Sequence, residues 1–207
     1  PTINKNTAER MLWFLMFACS DSTKKMEETQ KDAVDLTAMI DPFISTGGTG
    51  YSVGCGYPGA AVPLGMIKLS PDTADAQGSS PGFHRGGGYH YDDTYIEGFS
   101  HMHLHGIGLT DYGLLSFMPT DGMTQEKTTR NGYAQPFSHD DEHAEPGLYE
   151  VKLPVADVRL SVTKRTGLHH YRFKSADKTI VVDLGHSLGR GKIKVAQLEI
   201  LDSGQKA

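Results

Sequence analysis

Four short segments in the second half of the chain restrict its fold more than any other feature. Each alternates polar and apolar residues or is rich in β-branched residues, and they span residues 148–153, 158–163, 169–173 and 179–184. Turn-forming residues separate them at intervals of roughly ten residues, the spacing of strands in an antiparallel sandwich or barrel. We therefore predict a mainly β fold, an antiparallel β-sandwich, and we expect one more strand over residues 193–201.

Glycine and proline interrupt the first half of the chain every few residues as far as Gly122, which excludes long helices there. Glycine makes up 24 of the 207 residues, against a usual share of about 7%. Most of these glycines lie between Gly47 and Gly113. Apolar runs at residues 66–69 and 114–118 have the length of strands. We expect a loop-rich first half that joins the same sandwich.

Charge and hydropathy exclude several classes of protein. The chain carries a net charge of −5 without a cluster of lysine and arginine, which argues against a nucleic-acid-binding surface. No apolar run approaches the roughly 18 residues that a membrane-spanning helix needs. The two cysteines cannot form a disulfide framework. These exclusions leave a globular protein, and its length fits one domain or at most two small ones.

The first residues have the pattern of an export signal. Lys5 and Arg10 precede an apolar run over residues 11–18, which is too short to span a bilayer. Cys19 follows the small residue Ala18, as in a bacterial lipoprotein signal, in which the cysteine becomes lipidated. We therefore predict export and lipidation at Cys19; the alternative is an amphipathic N-terminal helix.

The chain is expected to have three parts. We predict an export or lipoprotein signal region at residues 1–18, a flexible tether at 19–38 and the sandwich domain at 39–207. The sequence begins with Pro1 and stops at Ala207 within a strand-like pattern. We therefore expect the chain to be a fragment of a longer protein and its sandwich to be incomplete.

Three histidines lie close together in a glycine-rich stretch. If the stretch is extended, His101, His103 and His105 share one face at intervals of about 6.6–6.8 Å. From that spacing two imidazoles could hold one metal ion of the zinc type. The row could equally present polar donors to a ligand, or its members could bond backbone carbonyl groups. The neighbouring glycines favour a shaped pocket over a plain strand.

Other catalytic patterns are incomplete in this sequence. The glycine-rich residues 47–59 lack the Gly-Lys-Ser/Thr ending of a nucleotide-binding loop, and no serine nucleophile elbow is present. Cys55 has no identifiable partner base, and His186 has the pattern of a structural or interface residue. A glycosidase needs two carboxylates, and spacing alone selects no pair. The candidates in the first half are Asp41, Asp72, Asp75, Asp92, Asp93, Glu97 and Asp111.

A series of short motifs follows in a fixed order between residues 41 and 186. They include DPFISTGG at 41–48, YPGAAVPLGM at 57–66, LSPDT at 69–73, GYHY at 88–91, GFSHMHLHGIG at 98–108, DYG at 111–113, PGLY at 146–149, TGLHHY at 166–171 and VDLGH at 182–186. In sequence and in order they resemble the opening part of the glycoside hydrolase family 92 α-mannosidases. Because many ordered motifs agree, chance is a poor explanation.

The resemblance implies an exported, exo-acting, inverting and calcium-dependent α-mannosidase that removes terminal α-mannose from glycans. It implies a β-sandwich of the supersandwich type, followed by an (α/α)6 domain that this chain lacks. The catalytic carboxylates and most of the calcium ligands would lie in that absent domain, so we expect no catalytic residue here and an inactive fragment. Calcium prefers oxygen ligands, which makes the histidine row a poor site for it and leaves no metal ligand in this chain.

The resemblance also suggests which residues contact the sugar. We assign substrate binding to Cys55, Gly56 and Tyr57, to Phe83 and His84 and, as weaker candidates, to Ser100, His101 and His103. An aromatic ring on the apolar face of a sugar, beside polar donors, is the chemistry that such a subsite needs. Many members carry Trp, Asp and Cys before the GYHY motif, where this sequence has FHRGG at 83–87.

The expected partner is a glycan with terminal α-mannose, without nucleic acid and with membrane contact only through a lipid anchor. We expect an exported protein, periplasmic or on the cell surface of a bacterium. The alternative function is a non-catalytic surface lipoprotein that binds carbohydrate through its sandwich. A helical domain with candidate carboxylates after Ala207 would favour the enzyme.

Overall fold

A computed structural model describes residues 35–48, 55–75, 85–106, 112–189 and 192–199. The chain divides into two units, Pro1–Met39 and Ile40–Ala207. The first unit contributes one 3-10 turn, Leu36–Met39. There the Asp35 carboxylate accepts hydrogen bonds from the Thr37 backbone N–H and hydroxyl, at 3.0 and 2.6 Å. The predicted signal region and Cys19 lie outside the described residues. Among the residues described, no helix has the length and apolar character to cross a membrane.

Within the described part of the second unit, nine strands form two antiparallel sheets. The five-stranded sheet has the order β1-β2-β3-β9, with β4 paired to one end of β2. Its strands are β1 (Leu69–Ala74), β2 (Tyr95–His101), β3 (Leu114–Thr120), β4 (Gln135–Pro136) and β9 (Thr179–Asp183). The four-stranded sheet is a meander of β5 (Glu142–Glu145), β6 (Leu148–Lys152), β7 (Ala156–Val162) and β8 (Gly167–Phe173).

Short helical turns connect β3 to β5. They are the 3-10 turn Glu126–Thr128, the single α-helical turn α1 (Arg130–Tyr133) and the 3-10 turn His139–Asp141. Ser138 caps the last of these, because its hydroxyl accepts a hydrogen bond from the Asp140 N–H at 3.2 Å. Helix is therefore a minor part of the described domain, as the glycine and proline pattern predicts.

The two sheets pack face to face through alternate residues of their strands. On β6 and β7 the pairs Tyr149–Leu160 and Val151–Val158 lie opposite each other, and all four side chains are buried. From the other sheet, the ring of Phe99 lies 6.4 Å from that of Tyr171 on β8. Burying an aliphatic or aromatic side chain of this kind contributes about 1.5–3 kcal/mol. The domain is thus an antiparallel β-sandwich, as predicted.

The predicted strands of the second half match β6 to β9 to within about two residues at their ends. The strand predicted at 193–201 is wrong over its described part, because residues 192–199 have no strand structure. Val195 and Leu198 are 85% and 68% exposed. No described strand lies beside them, so their backbone groups have no ladder to join.

Close packing explains much of the glycine in the first half. Gly88 has φ +89°, and a Cβ there would lie 2.7 Å from Asp72 Oδ1 and 2.9 Å from the ring of His103. A Cβ on Gly87 would lie 2.7 Å from the Gly56 carbonyl oxygen. The chain segments approach each other so closely that a side chain would not fit between them.

Candidate functional site

Polar side chains are buried on the face of the five-stranded sheet that points away from the four-stranded sheet. On β1 and β2, Leu69 and Phe99 face β8, so Asp72 and Ser100 occupy the alternate positions. Asp72 is 2% exposed and Ser100 has no exposed surface. The loops that contain the glycine-rich motifs cover this face.

A buried cluster of Asp72, His103 and His186 occupies this face. His186 Nε2 lies 3.2 Å from Asp72 Oδ2, and His103 Nε2 lies 3.5 Å from Asp72 Oδ1. The Ser100 hydroxyl lies 2.9 Å from His103 Nε2. His103 is fully buried and His186 is 1% exposed. The cluster joins β1, the segment after β2 and the segment after β9.

Both imidazoles of the cluster bond backbone carbonyl groups through their other nitrogen. His103 Nδ1 donates to the Gly87 oxygen at 2.7 Å, and His186 Nδ1 donates to the Gly113 oxygen. Burial lowers the pKa of each histidine to about 4. Burial also raises the pKa of Asp72 well above its ordinary value. Burial thus disfavours charge on all three groups.

The three histidines of the sequence motif do not share one face, so that expectation is wrong. Met102 adopts φ +65° and donates its N–H to the Lys68 oxygen at 2.9 Å, which ends the regular alternation of β2. His101 then bonds the Leu115 oxygen through Nδ1 at 2.9 Å, while His103 is buried. His105 is exposed and packs on the Tyr57 ring, with centroids 3.9 Å apart.

No group of three or more His, Cys, Asp or Glu side chains in the described ranges has the arrangement of a metal site. The zinc-type interpretation of the histidine row therefore has no structural support in this part of the chain. Calcium takes six to eight oxygen ligands, and the described ranges hold no group of three or more acidic side chains arranged for a metal ion. The calcium that the resemblance implies therefore finds no carboxylate cluster in this part of the chain, and calcium dependence stays a prediction.

Two of the predicted substrate-binding groups lie side by side. The Cys55 carbonyl oxygen accepts the Gly106 N–H at 2.9 Å, and the Gly56 N–H donates to the Ser45 oxygen at 3.0 Å. The Tyr57 hydroxyl lies 3.5 Å from the His103 carbonyl oxygen. Residues 55–57 therefore lie directly beneath the segment that contains His103 and His105.

Most of these predicted residues are inaccessible in the described domain. Tyr57 is 1% exposed, and Ser100 and His103 are fully buried, so their side chains support the loops from beneath. His101 is half-buried, and its ring lies 5.0 Å from that of His169. Phe83 and His84 lie outside the described residues. Direct sugar contact by these residues stays a prediction.

An open pocket with aromatic walls lies beside this region, and the assignment from sequence missed it. Its volume is about 380 Å³. It is lined by Asp41, Phe43, Ile44, Ser45, Thr46, Gly47, Gly48, Tyr91 and Asp92. Tyr91 is 42% exposed and meets Phe43 edge to face, with centroids 6.1 Å apart. All of these residues except Asp92 belong to the DPFISTGG and GYHY motifs, and Asp92 directly follows the second, so two motifs distant in the sequence form one concave surface.

The Tyr91 ring is held rigidly from behind. It stacks on His139 with centroids 4.0 Å apart and an interplanar angle of 4°. His139 contacts the buried Glu142 carboxylate, which also accepts hydrogen bonds from the hydroxyls of Tyr89 and Tyr149, each at 2.7 Å. Burial raises the pKa of both tyrosines, so the two hydroxyls stay protonated and can donate. The pocket wall is thereby anchored to β5 and β6.

A buried ion pair anchors the other side of the GYHY turn. Arg85 donates from Nε and Nη2 to the two oxygens of Asp93, at 2.6 and 2.5 Å. The Thr73 hydroxyl donates to Asp93 Oδ2 at 2.6 Å and accepts the His90 N–H at 2.8 Å. The hydrogen bonds to Asp93 raise the pKa of Arg85 still further. The turn that presents Tyr91 is therefore fixed at both ends.

A larger pocket, of about 420 Å³, lies on the solvent face of the four-stranded sheet. Charged side chains line most of it, and they pair with each other across strands. Arg159 lies 3.2 Å from Glu150, and Arg172 lies 2.6 Å from Asp157. Cross-strand pairs of this kind are typical of a solvated sheet face.

The fold and the site together define a β-sandwich domain with a glycine-rich, aromatic pocket at its first sheet. The sequence model of the Glycosyl hydrolase family 92 N-terminal domain matches residues 39–207. The chain therefore belongs to glycosyl hydrolase family 92 and comprises its N-terminal domain.

Relatives of known structure agree with this membership. The family GH92 α-mannosidase BT3965 of Bacteroides thetaiotaomicron, in complex with mannoimidazole, is 32% identical with a TM-score of 0.64, over 74% of this chain and 20% of that chain. The GH92 inverting mannosidase BT2199 of the same organism is 29% identical with a TM-score of 0.60, over 73% of this chain and 20% of that chain.

A curated relative, an uncharacterized secreted glycosidase of Arthroderma benhamiae, is 28% identical over 145 residues. The match covers 67% of this chain and 17% of that protein. The chain therefore spans about a fifth of the length of the relatives that it matches.

Proposed function

We propose that this chain is the N-terminal domain of an exported α-mannosidase that hydrolyses terminal α-mannose from glycans. The observation that carries the proposal is family membership over residues 39–207, together with a 32% identical α-mannosidase among the structural neighbours. Export agrees with the signal-like pattern at residues 1–18 and with a relative described as secreted. Anchoring through Cys19 in a periplasmic or cell-surface location is part of the proposal.

In this proposal the domain supplies substrate contacts. The pocket between Phe43 and Tyr91 presents an aromatic face to the apolar side of a sugar ring, and Asp41 and Asp92 at its edge can accept hydrogen bonds from sugar hydroxyls. Inversion requires an acid, a base and a water molecule between them. We assign those carboxylates, and the calcium, to the part of the protein beyond this chain.

The experiment uses the full-length protein obtained by extending the reading frame past Ala207. Release of mannose from α-mannosides by this protein is the expected result, and the present chain alone should release none. Turnover by the isolated chain would contradict the division of roles. Binding of mannosides without hydrolysis by the full-length protein would favour the carbohydrate-binding lipoprotein instead.

Substitution of Tyr91 tests the pocket itself. In the full-length enzyme we expect Tyr91→Ala to raise KM about tenfold with a smaller effect on kcat, because it removes the stacking face, worth about 1.4 kcal/mol. Tyr91→Phe keeps the ring and should stay within about threefold of the wild type. Leu168→Ala, at a residue 61% exposed on β8, is the matched control and should not change KM. Equal KM values for Tyr91→Ala and Leu168→Ala would show that this pocket is not part of the substrate site.

A further inference from the structure

The buried cluster of Asp72, His103 and His186 contains polar atoms without a hydrogen-bond partner. Neither oxygen of Asp72 nor Nε2 of His186 has a hydrogen-bond partner of acceptable geometry, although all three atoms are buried. Buried polar atoms are almost always paired, and leaving one unpaired costs about 1–3 kcal/mol. One of these groups must therefore carry a proton that makes it a hydrogen-bond donor.

The two histidines limit which group that can be. A neutral imidazole has one N–H, and in both rings Nδ1 uses it to donate to a backbone carbonyl, of Gly87 or of Gly113. Each Nε2 therefore presents a lone pair. The Ser100 hydroxyl can donate to His103 Nε2 at 2.9 Å, which satisfies that ring. His186 Nε2 is left 3.2 Å from Asp72 Oδ2, an acceptor facing an acceptor unless a proton lies between them.

Burial and the neighbouring charged groups determine whether Asp72 or His186 binds the proton between them. Burial is the main cause of the raised pKa of Asp72; the Ser100 hydroxyl and Arg130 oppose it, and Glu97 adds to it. His186 is influenced by Arg130 and Asp183, again with opposite effects, and those two residues form an ion pair of their own at 3.8 Å. His103 is influenced by His101, His105 and His186. With little net charge nearby and almost no solvent contact, the uncharged form of every member is favoured.

We propose that Asp72 is an uncharged carboxylic acid at neutral pH, whose proton reaches His186 Nε2 after a small rotation of the carboxyl group and so fixes the loops at Gly87 and Gly113. Asp72 is then a positioning residue: it holds His186, which holds the Gly113 carbonyl, and it packs against His103, which holds the Gly87 carbonyl. That these loops serve a sugar site rests on the proposed function, whereas the protonation of Asp72 does not.

The burial energetics agree with this assignment. Burial raises the pKa of Asp72 and lowers the pKa of His103 and His186 to about 4, so both effects favour a neutral cluster. A folded state that keeps a proton on Asp72 holds one proton more at this group than the unfolded chain does above about pH 4. The contribution of Asp72 to stability therefore falls as pH rises from 5 to 8.

The test compares Asp72→Asn with the wild type in the full-length protein. An asparagine amide copies the donor and acceptor of a protonated acid, so the variant should fold and melt at or above the wild-type temperature at pH 8. From pH 5 to neutral pH the unfolding equilibrium constant of the wild type, relative to that of the variant, should rise by up to about tenfold per pH unit. The infrared band of protonated carboxyl groups should be weaker in the variant than in the wild type by the intensity of one group.

Asp93→Asn is the matched control, because Asp93 is equally buried but forms an ion pair with Arg85. That variant should lose stability at every pH and leave the carboxyl band unchanged. Asp72→Ala should be less stable than Asp72→Asn, and failure of the alanine variant to fold leaves the asparagine comparison intact.

Three results would overturn the proposal: an unchanged carboxyl band in Asp72→Asn, a stability difference independent of pH, or a stoichiometric metal ion in the wild type that the variant loses. None of these measurements uses a substrate, so they test the protonation of Asp72 even if the protein has no mannosidase activity.

Discussion

The two faces of the five-stranded sheet are buried by different means. The face toward the four-stranded sheet is covered by apolar side chains such as Phe99, which packs on Tyr171. The opposite face buries Asp72, Ser100 and His103 under glycine-rich loops. The first face contributes to stability through the apolar area that it removes from water. The second contributes only if each buried polar atom forms a hydrogen bond.

This difference determines how each face tolerates change. An apolar core loses stability in proportion to the volume removed and can repack in part. A polar cluster closed by glycines has no comparable freedom, since a shifted backbone breaks several hydrogen bonds together. The loops that present the candidate sugar pocket therefore depend on the less tolerant face.

The largest expected effect belongs to the apolar face. Phe99→Ala should lower the free energy of unfolding by about 3–5 kcal/mol, because it removes a fully buried ring between the sheets. Leu168→Ala, at an exposed position of β8, should change it by no more than about 0.5 kcal/mol. Denaturant unfolding of the full-length protein provides the measurement. Similar losses in the two variants would mean that the sheets are not packed through Phe99.

A pair of glycines tests the polar face with backbone conformation held nearly constant. Gly88 and Gly106 both have positive φ, +89° and +70°, but a Cβ on Gly88 meets Asp72 and His103, whereas one on Gly106 meets nothing within 4 Å. Gly106→Ala should therefore cost only the conformational penalty, about 1 kcal/mol. Gly88→Ala should cost about 2 kcal/mol more, because it also disturbs the buried cluster.

The comparison of the two alanine variants is made by thermal unfolding. Equal losses would show that positive φ alone requires glycine at position 88. A loss in Gly88→Ala that decreased in an Asp72→Ala background would instead locate the clash at the carboxyl group.

The sequence predicts the strands of the four-stranded sheet better than it predicts the segment that covers the polar face of the five-stranded sheet. Alternation at 148–153 and 158–163 predicts β6 and β7, because inward residues of a half-buried strand repeat with period two. The same rule fails after β2, where Met102 turns into the left-handed region and His101 and His103 point to different surroundings. No local pattern encodes that turn, since it depends on the Lys68 carbonyl of a neighbouring segment.

The candidate site, too, could be predicted from the sequence only in part. Family resemblance identified the motifs that contain Phe43 and Tyr91, but their shared pocket depends on contacts between segments almost fifty residues apart. The role of His186 was likewise predicted only as structural or interfacial. Its partner, Asp72, lies on β1, more than a hundred residues earlier, so spacing in the sequence carries no sign of the pair.

The smallest expected effect belongs to polar contacts that water can reach. Arg159 and Glu150 form a cross-strand pair at 3.2 Å on the solvent face of the four-stranded sheet, with side chains 58% and 39% exposed. A double-mutant cycle with Arg159→Ala and Glu150→Ala should give a coupling free energy of about 0.5 kcal/mol that decreases further in high salt. Water replaces each lost partner here, which it cannot do around Asp72. A salt-insensitive coupling of several kcal/mol would show that this face is covered in the full-length protein.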